Sequence, residues 1–109
     1  VPPARLPEYV RGVRAALDRR GVRGVIFGHA GDAHVHVNPL VDTRKPDWRA
    51  DVEGLLEEVT ALAARLGGTL AGEHGDGRLR TPLLDRTWSA TARERFAAVK
   101  RAFDPSGIL

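Results

Sequence analysis

Cysteine and methionine are both absent from this 109-residue chain, and aromatic residues are scarce: three Phe, two Trp and one Tyr. Without cysteine there is no disulfide scaffold, and a reduced compartment such as the cytosol suits the composition. Apolar runs last only a few residues, too short to cross a bilayer, and no charged segment leads into one as a secretory signal would. The few aromatics are not interleaved with basic residues, so a base-stacking surface is not expected. Charge of one sign is also in short supply, since 17 basic residues face 14 acidic ones, a net +3. Fifteen of the 17 are Arg, which reads as coding bias. Only residues 76–101 are unbalanced, with seven Lys/Arg against three Asp/Glu, and an ordinary solvated surface accounts for them. Nucleic acid is therefore not an expected partner. Position 1 is Val and the chain stops straight after the turn-like Asp104-Pro105-Ser106-Gly107, so we expect a piece of a longer protein.

What is present reads as one α+β unit in the order α-β-β-α-β-α-α. Tyr9/Val10, Val13 and Ala16/Leu17 recur at helical spacing after Pro7, and Gly21 supplies the stop. Val22 to Phe27 predicts a short buried strand ending at Gly28. His34-Val35-His36-Val37-Asn38 alternates strictly, placing Val35 and Val37 on one face and His34, His36 and Asn38 on the other, with Pro39 as its end. Asp47 is a candidate cap for a helix whose stripe is Val52, Leu55/Leu56, Val59, Leu62/Ala63 and Leu66, closed by Gly67-Gly68. Thr69-Leu70-Ala71 predicts a brief third strand. After an irregular or helical stretch containing Pro82, the last helix is expected to begin near Ser89 or Thr91. Thr91 and Glu94 have capping-box spacing, and Phe96, Val99 and Phe103 mark its buried side.

All four histidines lie in two glycine-rich segments, Gly28–Asn38 and Gly72–Gly77. Glycine lets backbone turn sharply, and loops at strand ends commonly bind ligands. If the two loops meet, His29, His36 and Glu73 make two imidazoles and a carboxylate available to a cation; unrelated surface histidines would give the same spacing. His74, beside Glu73, would then stand at the rim as a base, histidine being the side chain suited to proton transfer near neutral pH. His34-Val35-His36 is not a histidine-triad strand, because Asn38 occupies the third alternate position. A metal-dependent amidohydrolase barrel would need a far longer chain. Neither glycine string has the spacing of a phosphate loop or a dinucleotide fingerprint.

These residues carry a resemblance. Gly28-His29-Ala30-Gly31-Asp32-Ala33-His34-Val35-His36-Val37-Asn38 resembles the Gly-His-x-Gly-Asp-Gly-Asn-x-His motif in the C-terminal domain of FAD-linked oxidases. Thr69-Leu70-Ala71-Gly72-Glu73-His74-Gly75-Asp76-Gly77 resembles the family's second motif. Phe103-Asp104-Pro105-Ser106-Gly107-Ile108-Leu109 resembles its last. The resemblance runs from about Leu6 to the final residue. D-lactate dehydrogenase, the glycolate oxidase D subunit and D-2-hydroxyglutarate dehydrogenase belong to this family, and Asp76 with Arg78 is most similar to members that carry an iron–sulfur module.

The resemblance implies part of a ferredoxin-like cap, an antiparallel sheet with helices packed on it, spanning 1–109 and covering the substrate of an FAD domain that lies N-terminal in the same parent chain. It implies a divalent metal, Zn²⁺ in the first place, on His29, His36 and Glu73, with His74 as catalytic base, and oxidation of a D-2-hydroxy acid to the 2-oxo acid. Asp32 would orient a ligating imidazole, and Arg78 and Arg80 would attract a substrate carboxylate, although solvated arginines explain them as well. Asn38 shares the His36 face and is a candidate substrate neighbour. Two positions depart from the motif: Ala33 and His34 stand where the family has Gly-Asn. A positive φ at Ala33 would be costly, so a local difference in the loop is expected; His34 would either supplement the metal site or, as the favoured reading, stand in solvent or behind the ligands. The expected location is cytoplasmic, with attachment at the inner face of the membrane as a variant, and self-association as a homodimer is an option. The alternative to the enzyme is a stand-alone metal-binding or interaction module without catalysis.

Overall fold

The computed structural model describes residues 1–109. A 3-10 turn over Pro3–Arg5 leads into helix α1 (Leu6–Arg19), which has Pro7 in its first turn. Tyr9, Val13, Ala16 and Leu17 form its buried stripe, as the spacing predicts. Gly21 follows at φ +60°, the left-handed conformation in which a Cβ would be strained. Strands β1 (Arg23–His29) and β2 (His34–Leu40) make a two-stranded antiparallel sheet, and a long helix α2 (Trp48–Arg65) comes next. A four-residue helix α3 (Gly77–Arg80) runs into a 3-10 stretch over Thr81–Arg86, and helix α4 (Ala90–Phe103) closes the order. The architecture is that of a small α+β domain.

The core sits between α1, α2 and the inner face of the sheet. Tyr9, Val13, Ala16 and Leu17 meet Leu55, Leu62, Ala63 and Leu66, with Ile26, Val35 and Val37 packed against them from the strands. The expected alternation in β2 therefore points its valines inward. Gly12 lets the two helices close: a Cβ there would run into the Leu62 side chain. Thr60 is buried as well, one step off the stripe read from the sequence.

Several local expectations are corrected. Thr69-Leu70-Ala71 is not a strand; the sheet has only β1 and β2, so this segment finds no ladder partner, and the Thr69 hydroxyl donates to the Ala71 carbonyl instead. Pro39 does not end β2 but pairs with Gly24, as a two-stranded ribbon allows because its outer edges ask for no further N–H groups. Strand β1 is not buried, since only Ile26 reaches the core while Val25 and Phe27 stand on the open face. Asp47 precedes α2 without a capping bond, whereas Ser89 caps α4 by accepting from the Ala92 N–H at 3.2 Å. The apolar side of α4 is exposed rather than buried: Phe96 is 44%, Val99 59% and Phe103 82% accessible. Phe96 touches Trp88 edge-on, with centroids 5.3 Å apart.

The Asp104-Pro105-Ser106-Gly107 turn is an anchor. Asp104 is buried, pairs with Lys100, and accepts from the backbone N–H groups of Ile108 (2.9 Å) and Leu109 (3.1 Å). The Lys100 ammonium first, and these amides with it, hold the Asp104 carboxyl below the usual carboxylate range.

Candidate metal centre

The hairpin register builds the site. His29 pairs with His34 across the connection and Phe27 pairs with His36, so these four side chains share the sheet face opposite the core. Between the strands, Ala30–Asp32 make a 3-10 turn and Ala33 takes the left-handed conformation at φ 51°, ψ 33°. The loop therefore keeps the turn that glycine would adopt freely, with a buried methyl group at the strained position. Gly28, opposite Val35, is equally constrained: at φ +156° an added Cβ would meet the His34 carbonyl and the Val35 backbone.

The second segment, residues 72–77, brings Glu73 over this face. All four imidazoles turn Nε2 toward its carboxylate. His36 lies 2.9 Å, His74 3.3 Å and His34 3.5 Å from Oε1, and His29 lies 3.7 Å from Oε2. The ligand atoms of His29, His36 and Glu73 are within 4.8 Å of one another, so these three residues meet at one point. His34 stands beside the cluster, 3.2 Å from His36 Nε2. His34 and His36 side chains are 16% and 23% accessible, whereas His29 is 61% and His74 76% accessible, leaving the last two at the rim. Phe27 stacks on His36, with centroids 4.9 Å apart, and fixes the plane of that ring.

The donor chemistry fits a cation. Partial burial works to raise the Glu73 carboxyl, and the imidazoles of His34, His29, His74 and His36 outweigh it, so the group is held ionised below its usual range. An imidazole Nε2 carries either one proton or one lone pair. Three of the four imidazoles crowd one oxygen, Oε1, an arrangement that a shared cation would accommodate.

The remaining expected residues are less central. Asp32 is exposed in the turn and makes no hydrogen bond to an imidazole. Asn38 lines a cavity of about 250 Å³ beside His34 and His36. Arg78 is exposed and lies outside that lining, while Arg80 is part of it. The Arg80 guanidinium donates to the carbonyls of Gly75 and Asp76 and pins the loop that carries Glu73 and His74. Tyr9, read from the sequence only as a core residue, also lines the cavity, and burial raises its hydroxyl pKa. No sequence signal separated that role from packing, because a tyrosine on an apolar helical stripe serves both. Gly28 and His29 end β1, Ala30–Asp32 form the turn that follows, and Gly77 opens a four-residue helix.

Comparison with known proteins shows the family of the chain. The profile of FAD linked oxidases, C-terminal domain, matches residues 1–109. The chain is 33% identical over its whole length to glycolate oxidase subunit GlcD of Bacillus subtilis, covering 23% of that protein. It is 37% identical to D-2-hydroxyglutarate dehydrogenase of Pantoea ananatis, covering 11%, and 34% identical to D-lactate dehydrogenase of Archaeoglobus fulgidus, covering 24%. The chain thus spans between about a tenth and a quarter of the length of these curated relatives. With its whole length matched and its histidines gathered on one carboxylate, this chain belongs to the C-terminal domain family of FAD-linked oxidases.

Proposed function

We propose that this chain is the substrate- and metal-binding part of an FAD-dependent dehydrogenase that oxidises a D-2-hydroxy acid, of the lactate or glycolate kind, to the 2-oxo acid. One observation carries the reading: four imidazoles from two distant segments converge on Glu73, at 2.9–3.7 Å, in a chain of this family. The names of its relatives are those of enzymes of 2-hydroxy acids. His29, His36 and Glu73 are the residues that would hold a divalent cation, with zinc the first candidate from the nitrogen-and-oxygen donor set. Such an ion, when bound, would supply Lewis acidity toward the substrate's hydroxyl and carboxylate; FAD, to which we assign no residue of this chain, would supply the two-electron oxidant that takes the α-hydrogen as hydride.

The chain's own residues do the positioning and the proton transfer. His74, the most exposed imidazole, is free on its outer side to accept the hydroxyl proton at a ring nitrogen as the carbonyl forms. Arg80 donates to the Gly75 and Asp76 carbonyls and so steadies the backbone that follows Glu73 and His74. Asn38 lines the cavity beside the cluster, where it would meet the substrate's polar groups.

The test uses the full-length protein. His36→Ala and Glu73→Ala are expected to lose bound metal on elemental analysis, while His74→Ala keeps the metal and loses turnover of D-2-hydroxy acids by about 100-fold or more. Unchanged metal content in the first two variants overturns the ligand assignment. Metal retained by a wild-type protein that oxidises no 2-hydroxy acid would favour the non-catalytic module.

A further inference from the structure

We infer that His34 is itself a ligand of the cation, so that this chain offers three imidazoles and a carboxylate where the family motif offers two and one. The inference rests on the metal-centre reading above and deepens it. His34 Nε2, His36 Nε2 and Glu73 Oε1 form a triangle with edges of 3.2, 2.9 and 3.5 Å. Two donors bonded at about 2.0–2.2 Å to one tetrahedral ion stand about 3.4 Å apart, and about 3.0 Å apart at right angles. All three edges have the spacing of neighbouring ligands on a single ion.

Hydrogen bonding alone serves these atoms poorly. His36 Nε2 holds one proton or one lone pair, yet it has two polar neighbours within 3.2 Å. A proton there must be divided between His34 and Glu73. A lone pair there faces the carboxylate oxygen directly. A shared cation lets all three atoms turn lone pairs to the same point.

His34 also has no other occupation. It is the least accessible of the four imidazoles, and its only polar contacts are His36 and Glu73. Its Nδ1 edge lies against Gly72, where a Cβ would collide with the ring, so the loop that delivers Glu73 seats directly on His34. Alternation along β2 gives His34 the same face as His36. Asparagine, the residue of the motif at this position, has no imidazole nitrogen to offer.

The experiment is a Co²⁺ titration of the metal-stripped full-length protein and of its H34N, H34Q and H74A variants, read by visible absorption and by paramagnetic proton NMR. Each imidazole bound through Nε2 contributes one strongly shifted, exchangeable Nδ1–H resonance. We expect three such resonances in wild type and in H74A, from His29, His34 and His36, and two in H34N and H34Q. The visible spectrum should change in both His34 variants, and their Co²⁺ Kd should rise by about tenfold or more. Two resonances in wild type, or an unchanged count and spectrum in H34N and H34Q, would sink the inference and leave the metal centre standing. A wild-type protein that takes up no Co²⁺ removes both. Should the His34 variants fail to fold by circular dichroism, the counts in wild type and H74A decide alone.

Discussion

Gly28 and Ala33 flank the loop of the histidine hairpin, and each holds a backbone conformation that costs a side chain energy. At Gly28 the left-handed φ is joined by a steric limit, because the Cβ of any other residue would press on the backbone of His34 and Val35. Gly28→Ala should therefore destabilise the protein by about 1–3 kcal/mol from strain alone and displace His34 from Glu73. Urea denaturation with Co²⁺ binding checks both effects, and a variant as stable as wild type would contradict the argument. Ala33 shows the opposite balance: its left-handed backbone is tolerated under a methyl group that is 1% accessible. The positive φ expected to be costly at Ala33 is present, beneath that buried methyl group.

Element by element, the sequence was most readable where one period ran uninterrupted. The stripes of α1 and α2 and the alternation of β2 put Val13, Leu17, Leu55, Val35 and Val37 where the spacing required. Ends were harder, because a cap depends on geometry that several nearby residues could supply. For α4 the structure chooses Ser89, whose hydroxyl accepts from Ala92, over the Thr91–Glu94 spacing. Ser89→Ala should cost about 1 kcal/mol in thermal or urea unfolding, while Thr91→Ala, already inside the helix, should cost less. The missing third strand at Thr69–Ala71 has a similar cause: a short apolar segment becomes a strand only when a ladder edge is there to receive it.

As a whole the molecule is open for its length. Its radius of gyration is 15.5 Å, against about 13 Å for a compact domain of this size, and only 11 of 109 residues are buried. Phe27, Phe96, Val99, Phe103, Ile108 and Leu109 stay accessible, so little apolar surface opposes the chain's conformational entropy. We expect the 109-residue chain alone to unfold with less than about 5 kcal/mol of stability. Leu17→Ala, which empties the junction of α1 with the sheet at Gly24, should remove about 2–5 kcal/mol and leave it largely unfolded at 25 °C. Equilibrium urea denaturation of both chains measures this; a Leu17→Ala chain that still unfolds cooperatively well above zero denaturant would show that the core is larger than eight residues.

Sequence by itself determined which side chains are candidates for chemistry and which faces they share, because alternation and helical period are properties of a single strand or helix. It also determined the family, since three motifs in order leave little freedom. Which imidazoles meet Glu73 was decided only in three dimensions. The separation of residues 28–38 from 72–77 along the chain says nothing about distance until α1, α2 and the sheet have packed. His34 shows the same limit: its strand face was known, but the loop seated on its ring at Gly72, beside His36 and Glu73, is a tertiary contact that no local pattern records.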